Sequence, residues 1–399
     1  MTAIPRYRPY GGPEILSAGF RPFFLLAALW AAFAAPLWLL VFAGHVTLPS
    51  NMAPSIWHVH EMVFGFGAAV VAGFLLTSIP NWTGRLPLQG GPLAALVAIW
   101  AAGRLAVLFS GSIGPTAAAV LDLAFPLVFL AVVAREIVPG RNWRNLPVVG
   151  ALTLLLAGNL FIHLDSLGVA PTAVFGGHLG IATLLMLIAL VGGRIVPSFT
   201  RNWLARERAN IAEPTPFGAF DRAALGIVAL TLAVWLVMDD TAIAPWVELA
   251  GGIAAALRLA RWRGAAAARE PLVWVLHLGY GWLAVGFLLL ALSGFAPDVP
   301  QTAALHALTI GAVGTMTLAV MTRASLGHTG HPLTSGPGTT AIYGLMTLAA
   351  VARVIAPLAG DYGFGLLCVS GAAWSGAFGL FVVLYFGPLT RPRAKSNAG

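Results

Sequence analysis

The feature that most constrains this chain is its rhythm: apolar runs long enough to cross a lipid bilayer alternate with short connections. A spanning helix needs about 20 apolar residues. Twelve such runs fall at roughly 20–43, 56–79, 91–110, 114–134, 147–166, 172–193, 222–238, 243–260, 271–294, 302–322, 339–357 and 363–387. Composition agrees. Of 399 residues, 59% are hydrophobic and 9% charged, with a mean hydropathy of +0.86, whereas a soluble domain carries roughly 25% charged residues. The reading is an all-α polytopic membrane protein of about twelve transmembrane helices, a single integral membrane domain over 1–399. The seventh and eighth runs are the weakest, because Asp239, Asp240 and Glu248 interrupt them. Residues 1–19 lack the early apolar run of a cleavable signal.

The formal charge of +8 does not make a nucleic-acid binder, because the arginines sit in alternate connections, where they set topology. Arg6, Arg8 and Arg21 precede the first run; Arg85 follows the second; Arg135, Arg141 and Arg144 follow the fourth. Arg194, Arg201, Arg206, Arg208 and Arg222 lie around the sixth-to-seventh connection, and Arg258, Arg261, Arg263 and Arg269 precede the ninth. Arg323 follows the tenth, while Arg391, Arg393 and Lys395 end the chain. The intervening connections 44–55, 111–113, 167–171, 239–242, 295–301 and 358–362 hold no Lys or Arg. Both termini are then expected in the cytoplasm, with 1–19 and 388–399 as cytoplasmic segments.

Topology supplies depth, at about 1.5 Å per residue. His58 and His60 enter from the outer face, His163 lies near the outer end of the fifth run, and His178 and His306 lie about two turns or less below the outer ends of the sixth and tenth. Arg104, Arg353 and Asp122 fall in the same outer half, and His277 in the inner half of the ninth run. The second, sixth and tenth runs also resemble one another. Each is rich in small residues, carries a histidine near its outer end, and is expected to stop at a breaker around Pro80, Pro197 or Arg323. Three four-helix units would account for this; chance similarity among glycine-rich membrane helices is the alternative.

Neutral imidazole is the common metal and haem ligand, and ionisable groups inside a membrane mark functional sites by default. On an α-helix His58 and His60 point roughly 200° apart, so they address different partners. Glu61 shares the face of His58 and could order an imidazole or transfer protons. Glycines flank His178 (Gly176, Gly177, Gly180) and follow His306 (Gly311, Gly314), leaving room for a flat macrocycle or for close helix packing. His277 shares a face with Tyr280 and could ligate or bond to it; His163, near Asp165, reads as interfacial with ligation the alternative. His45 reads as a loop residue, and His328 and His331 as a solvated loop with metal binding the alternative. Arg104 and Arg353 could hold haem propionates, or Arg104 could pair with Asp122. The lone Cys368 excludes an intrachain disulfide, a thiolate cluster and covalent haem attachment.

Several segments together are specific: Gly19-Phe20-Arg21-Pro22-Phe23-Phe24, Trp57-His58-Val59-His60-Glu61-Met62-Val63-Phe64-Gly65-Phe66, Gly193-Arg194-Ile195-Val196-Pro197-Ser198-Phe199-Thr200, Pro271 through Tyr280, and His306 through Gly330. On these the chain closely resembles the NnrS family of bacterial inner-membrane proteins. The resemblance implies haem b and copper as cofactors and a role in nitric oxide metabolism and resistance to nitrosative stress. A looser architectural resemblance is to the haem–copper oxidase catalytic subunit, whose second, sixth and tenth helices also carry histidines. The expectation is then a nitric oxide reductase, with His58, His60, His178 and His306 as axial or copper ligands and His163 a further metal candidate. His277 would serve another cofactor, Glu61 would act in proton transfer, and Arg104 and Arg353 would hold propionates. Quinol or a periplasmic cytochrome would donate electrons. A non-catalytic protein that buffers NO or protects metal pools, and a transporter, are the alternatives.

Overall fold

A computed structural model describes residues 10–84, 86–138, 143–207 and 211–394. The described residues form helices and no strand. Eleven helices are long and apolar enough to cross a membrane: α1 (Phe20–Phe42), α2 (Pro54–Thr83), α3 (Gly90–Leu108), α4 (Pro115–Ile137), α5 (Leu146–Ser166), α6 (Ala173–Arg206), α7 (Ala219–Val237), α9 (Pro271–Phe295), α10 (Gln301–His328), α11 (Pro337–Leu358) and α12 (Gly360–Thr390). The eighth expected run forms α8 (Ala244–Ala260), at 17 residues a little short of the rest. The all-α polytopic membrane architecture is therefore as the apolar pattern predicts.

The expected breakers do not break. α2 runs through Pro80 to Thr83, α6 through Pro197 to Arg206, and α10 through Arg323 to His328. A proline removes one backbone bond and crowds the preceding turn, which a long membrane helix tolerates when neighbours pack around the bend. What α2, α6 and α10 share is instead a widened turn. Each contains a π-helical segment: Glu61–Gly67, Ile188–Gly192 and Ala307–Gly314. Such segments are rare, and they frequent functional sites.

The chain divides into two compact units. The first is drawn from Met1–Gly180, Ala324–Pro332 and Phe381–Gly399, the second from Ile181–Arg323 and Leu333–Leu380. In the first unit α2 is central, packing on α1, α3, α4 and α5. Small residues set the closest approach. A Cβ on Gly158 of α5 would lie 2.8 Å from the Gly176 carbonyl oxygen of α6, and one on Gly176 would lie 2.5 Å from that of Gly158. That contact is the usual way membrane helices gain van der Waals attraction without a hydrophobic drive.

The start and end of the chain meet in this same unit. Buried Arg21 donates to the carbonyls of Leu389 (3.1 Å) and Arg391 (2.8 Å), capping the last turn of α12. Phe20 lies against His328, with ring centres 5.4 Å apart, and the Ala394 N–H donates to Thr329. His328 is thus half-buried rather than in a solvated loop; His331 bonds the Thr329 hydroxyl at 2.8 Å.

In the second unit α7, α8, α9 and α10 pack in succession, and α10 packs on α11. Thr322 bonds Tyr343 (2.6 Å), and Ser370 donates to the Ala349 carbonyl (2.8 Å).

Candidate functional site

All five spans at the start of the first unit send a polar side chain to one point. α1 supplies Trp30, α2 His60 and Glu61, α3 Arg104, α4 Asp122, and α5 Asn159 and His163. Local spacing explains the pairs. Asn159 and His163 are four apart on α5, so they share a face. Trp100 and Arg104 are four apart on α3. Trp100 donates to the Gly65 carbonyl inside the π-helical turn (3.0 Å), and Arg104 reaches Glu61 at the start of that turn. His60, Glu61 and Asp122 are wholly buried, and Arg104, Asn159 and His163 nearly so.

The connections form one network. Glu61 Oε2 accepts from Trp30 Nε1 and from Arg104 Nη1, both at 2.7 Å. Arg104 Nη2 also donates to Asp122 Oδ1. The other Glu61 oxygen faces His60 Nδ1 at 2.9 Å. His60 Nε2 lies 3.1 Å from Asp122 Oδ2 and 2.9 Å from Asn159 Oδ1, while His163 Nε2 lies 2.9 Å from the same Asp122 Oδ2. Asn159 Nδ2 donates to that oxygen at 2.8 Å. Gly65 makes the junction possible. A Cβ there would stand 2.7 Å from Glu61 Oε2, 2.8 Å from Arg104 Nη1 and 3.0 Å from Trp30 Nε1. The network thus joins two carboxylates, one guanidinium and two imidazoles. Among the described residues, His60, Asp122 and His163 form the one group of three His, Cys, Asp or Glu whose ligand atoms lie close enough, within 4.8 Å of one another, to hold a metal ion.

The expected site residues separate. His58 and His60 do serve different partners: His58 stacks on Trp38 at 4.9 Å between ring centres, with planes 16° apart. Glu61, at the start of the π-helical turn, faces its neighbour His60 at 2.9 Å. His163 is buried in the network and not interfacial. Arg104 takes its structural pairing with Asp122 and also donates to Glu61, while its Nε–H is left without a hydrogen-bond partner. The glycines around His178 are filled by helix packing: Gly177 by Val59, and Gly180 by Val63 and Phe64. Those after His306 are filled by Trp282 and Trp374. Close helix packing surrounds these glycines.

His277, His306 and Arg353 belong to the second unit. His277 bonds the Thr200 hydroxyl (2.8 Å) rather than Tyr280. His306 Nδ1 donates to the Thr302 carbonyl at 2.7 Å, and Arg353 is half-buried near the end of α11. Tyr280 instead joins a second buried network. Arg258 donates to its hydroxyl (3.1 Å), to Asp221 Oδ1 (3.2 Å), and to the Ala189 carbonyl in the π-helical turn of α6 (2.7 Å). Its guanidinium also lies over the Trp262 ring.

The fold and this site define a polytopic helical membrane protein with a buried ion network built by its first five spans. The family model described as NnrS protein matches residues 14–393, and the chain belongs to the NnrS family. Nothing among the curated proteins matches it.

Proposed function

We propose that this protein binds nitric oxide from the outer side of the bacterial inner membrane and reduces it to nitrous oxide, as part of the nitric oxide response to which its family is linked. The observation that carries the reading is the buried network of His60, Glu61, Arg104, Asp122, Asn159 and His163 in the first unit. Two histidines and two acids buried in an apolar bundle are expensive unless used, and two nitrogens and a carboxylate are donors that a copper-type ion accepts. Haem b, the other cofactor that the resemblance implies, fits less well, since Arg104 is committed to carboxylates and the glycines near His178 and His306 are filled.

The reaction joins two NO molecules with two electrons and two protons to give one nitrous oxide and one water. A bound ion would supply the open coordination position and the one-electron steps. The chain's own groups do the rest. Glu61 and Asp122 hold positive charge in a water-poor site, Arg104 fixes both carboxylates, and His60 with Glu61 provides a proton-carrying pair. Quinol or a periplasmic cytochrome supplies the electrons.

The test uses purified protein in detergent with an artificial electron donor. NO loss is followed at an electrode and nitrous oxide by gas chromatography, after an optical spectrum for haem. Turnover that disappears in His60→Ala supports the proposal. NO bound without nitrous oxide favours a buffer of NO or of metal. No NO interaction by any sample removes the reading.

A further inference from the structure

We infer that the second unit holds a phosphate-binding site at Arg258 and Arg261, at the end of α8, and that the headgroup of an anionic phospholipid fills it.

The first argument is donor capacity. A guanidinium carries five N–H groups. Arg258 uses Nε on Asp221, and Nη1 on the Tyr280 hydroxyl and the Ala189 carbonyl. Its Nη2 is buried and has no hydrogen-bond partner among the described residues, and the same holds for Arg261 Nε. Leaving a donor of a charged group buried and unfilled costs more than a hydrogen bond returns. The negative end of the α8 dipole explains a cation in this turn, but it gives these N–H groups no acceptor.

The second argument is charge. Asp221 is the one carboxylate paired with either arginine among the described residues. Its Oδ1 lies 3.2 Å from Arg258 Nε and its Oδ2 3.8 Å from Arg261 Nη2. Oδ2 also accepts from the Gly218 N–H at 3.1 Å. Arginine keeps its charge in proteins, so two cations share one anion. His277, whose ring centre lies 6.5 Å from that of Trp262, adds no negative charge in either protonation state.

The third is place. Arg258 and Arg261 are three residues apart and share a face. The Arg258 side chain is 1% exposed and that of Arg261 32%, so the pair leads from the interior to the surface. Aromatic rings back both: Trp262 lies under Arg258 at 5.4 Å, and Phe220 under Arg261 at 4.7 Å. Arginine-rich connections mark the bilayer edge, where lipid phosphates lie. Guanidinium grips phosphate with paired N–H donors, and basic pockets between spans take anionic headgroups. A phosphodiester brings a single negative charge, which matches the surplus.

Protein purified in detergent and stripped of lipid is titrated with phosphatidylglycerol, with a neutral glycolipid and with inorganic phosphate. Binding is read by native mass spectrometry and by the melting of the folded protein. The site predicts one phosphatidylglycerol held per chain and no comparable retention of the glycolipid. Arg261→Gln leaves the pair of Arg258 with Asp221 in place and should weaken that binding about 10–100-fold. Arg261→Lys should recover part of it, because lysine keeps the charge without the fork. Arg269→Gln, at an exposed arginine just before α9, should leave it unchanged. Folded wild type that holds phosphatidylglycerol no better than the glycolipid overturns the site, the free N–H groups then being met by water. Equal losses in Arg261→Gln and Arg269→Gln overturn it too, since the attraction is then to the basic edge at large. Inorganic phosphate that raises the melting point as far as the lipid does overturns the lipid assignment and makes the ligand a soluble oxyanion.

Discussion

Each unit of this molecule buries an arginine beside a π-helical turn, and the two networks are solved differently. Arg258 in the second unit has one carboxylate, a tyrosine hydroxyl and a backbone carbonyl. Asp221 also lies near Arg261, and the carbonyl of Ala189 fastens the widened turn directly. Arg104 in the first unit has two carboxylates, two nearby histidines and an asparagine. The second network joins two guanidiniums to one carboxylate, the first one guanidinium to two, and in the first Asp122 Oδ2 also meets His60, His163 and Asn159. The comparison sets a helix junction held by a backbone carbonyl beside a cluster of ionisable side chains inside one chain.

It can be broken in order of effect, with melting of the size-exclusion monomer in detergent as the measurement. Arg104→Met leaves two buried carboxylates uncompensated, so it should cost about 3–5 kcal/mol and yield little folded protein. Arg258→Met leaves one, which still accepts from Gly218 and lies near Arg261; the expected cost is about 1.5–3 kcal/mol. Equal losses in the two variants would erase the distinction. Gly65→Ala pushes a methyl against Glu61, Arg104 and Trp30. It should cost about 1–3 kcal/mol. Thr200→Val removes the partner of His277. Its cost should be about 1 kcal/mol.

Much of the architecture was legible, because apolar run length is a nearly direct statement about a bilayer. Most spans begin and end within a few residues of expectation, α6 running furthest past it, from residue 193 to Arg206, and the pairing of Arg104 with Asp122 follows from two opposite charges at one depth. The site was legible only in part. Depth says how far a residue lies along the normal, not which way it faces, so His163 read as interfacial when its neighbours bury it. Asn159 carries no charge and drew no notice, although its place four residues before His163 on an apolar helix was a signal. Facing was read at 3.6 residues per turn, whereas Glu61, at the start of the π-helical turn, faces its neighbour His60. The likeness of α2, α6 and α10 was visible as histidines and glycines, yet its structural content, a widened turn in each, has no letter code.

The grip of Arg21 on the carbonyls of Leu389 and Arg391 has a consequence in time. The side chain belongs to the first turn of α1, and its acceptors lie as many as 370 residues later. At roughly 5–20 residues per second, α1 is made tens of seconds before the cap it completes. The first unit therefore closes only after the last turn of α12 has been synthesised.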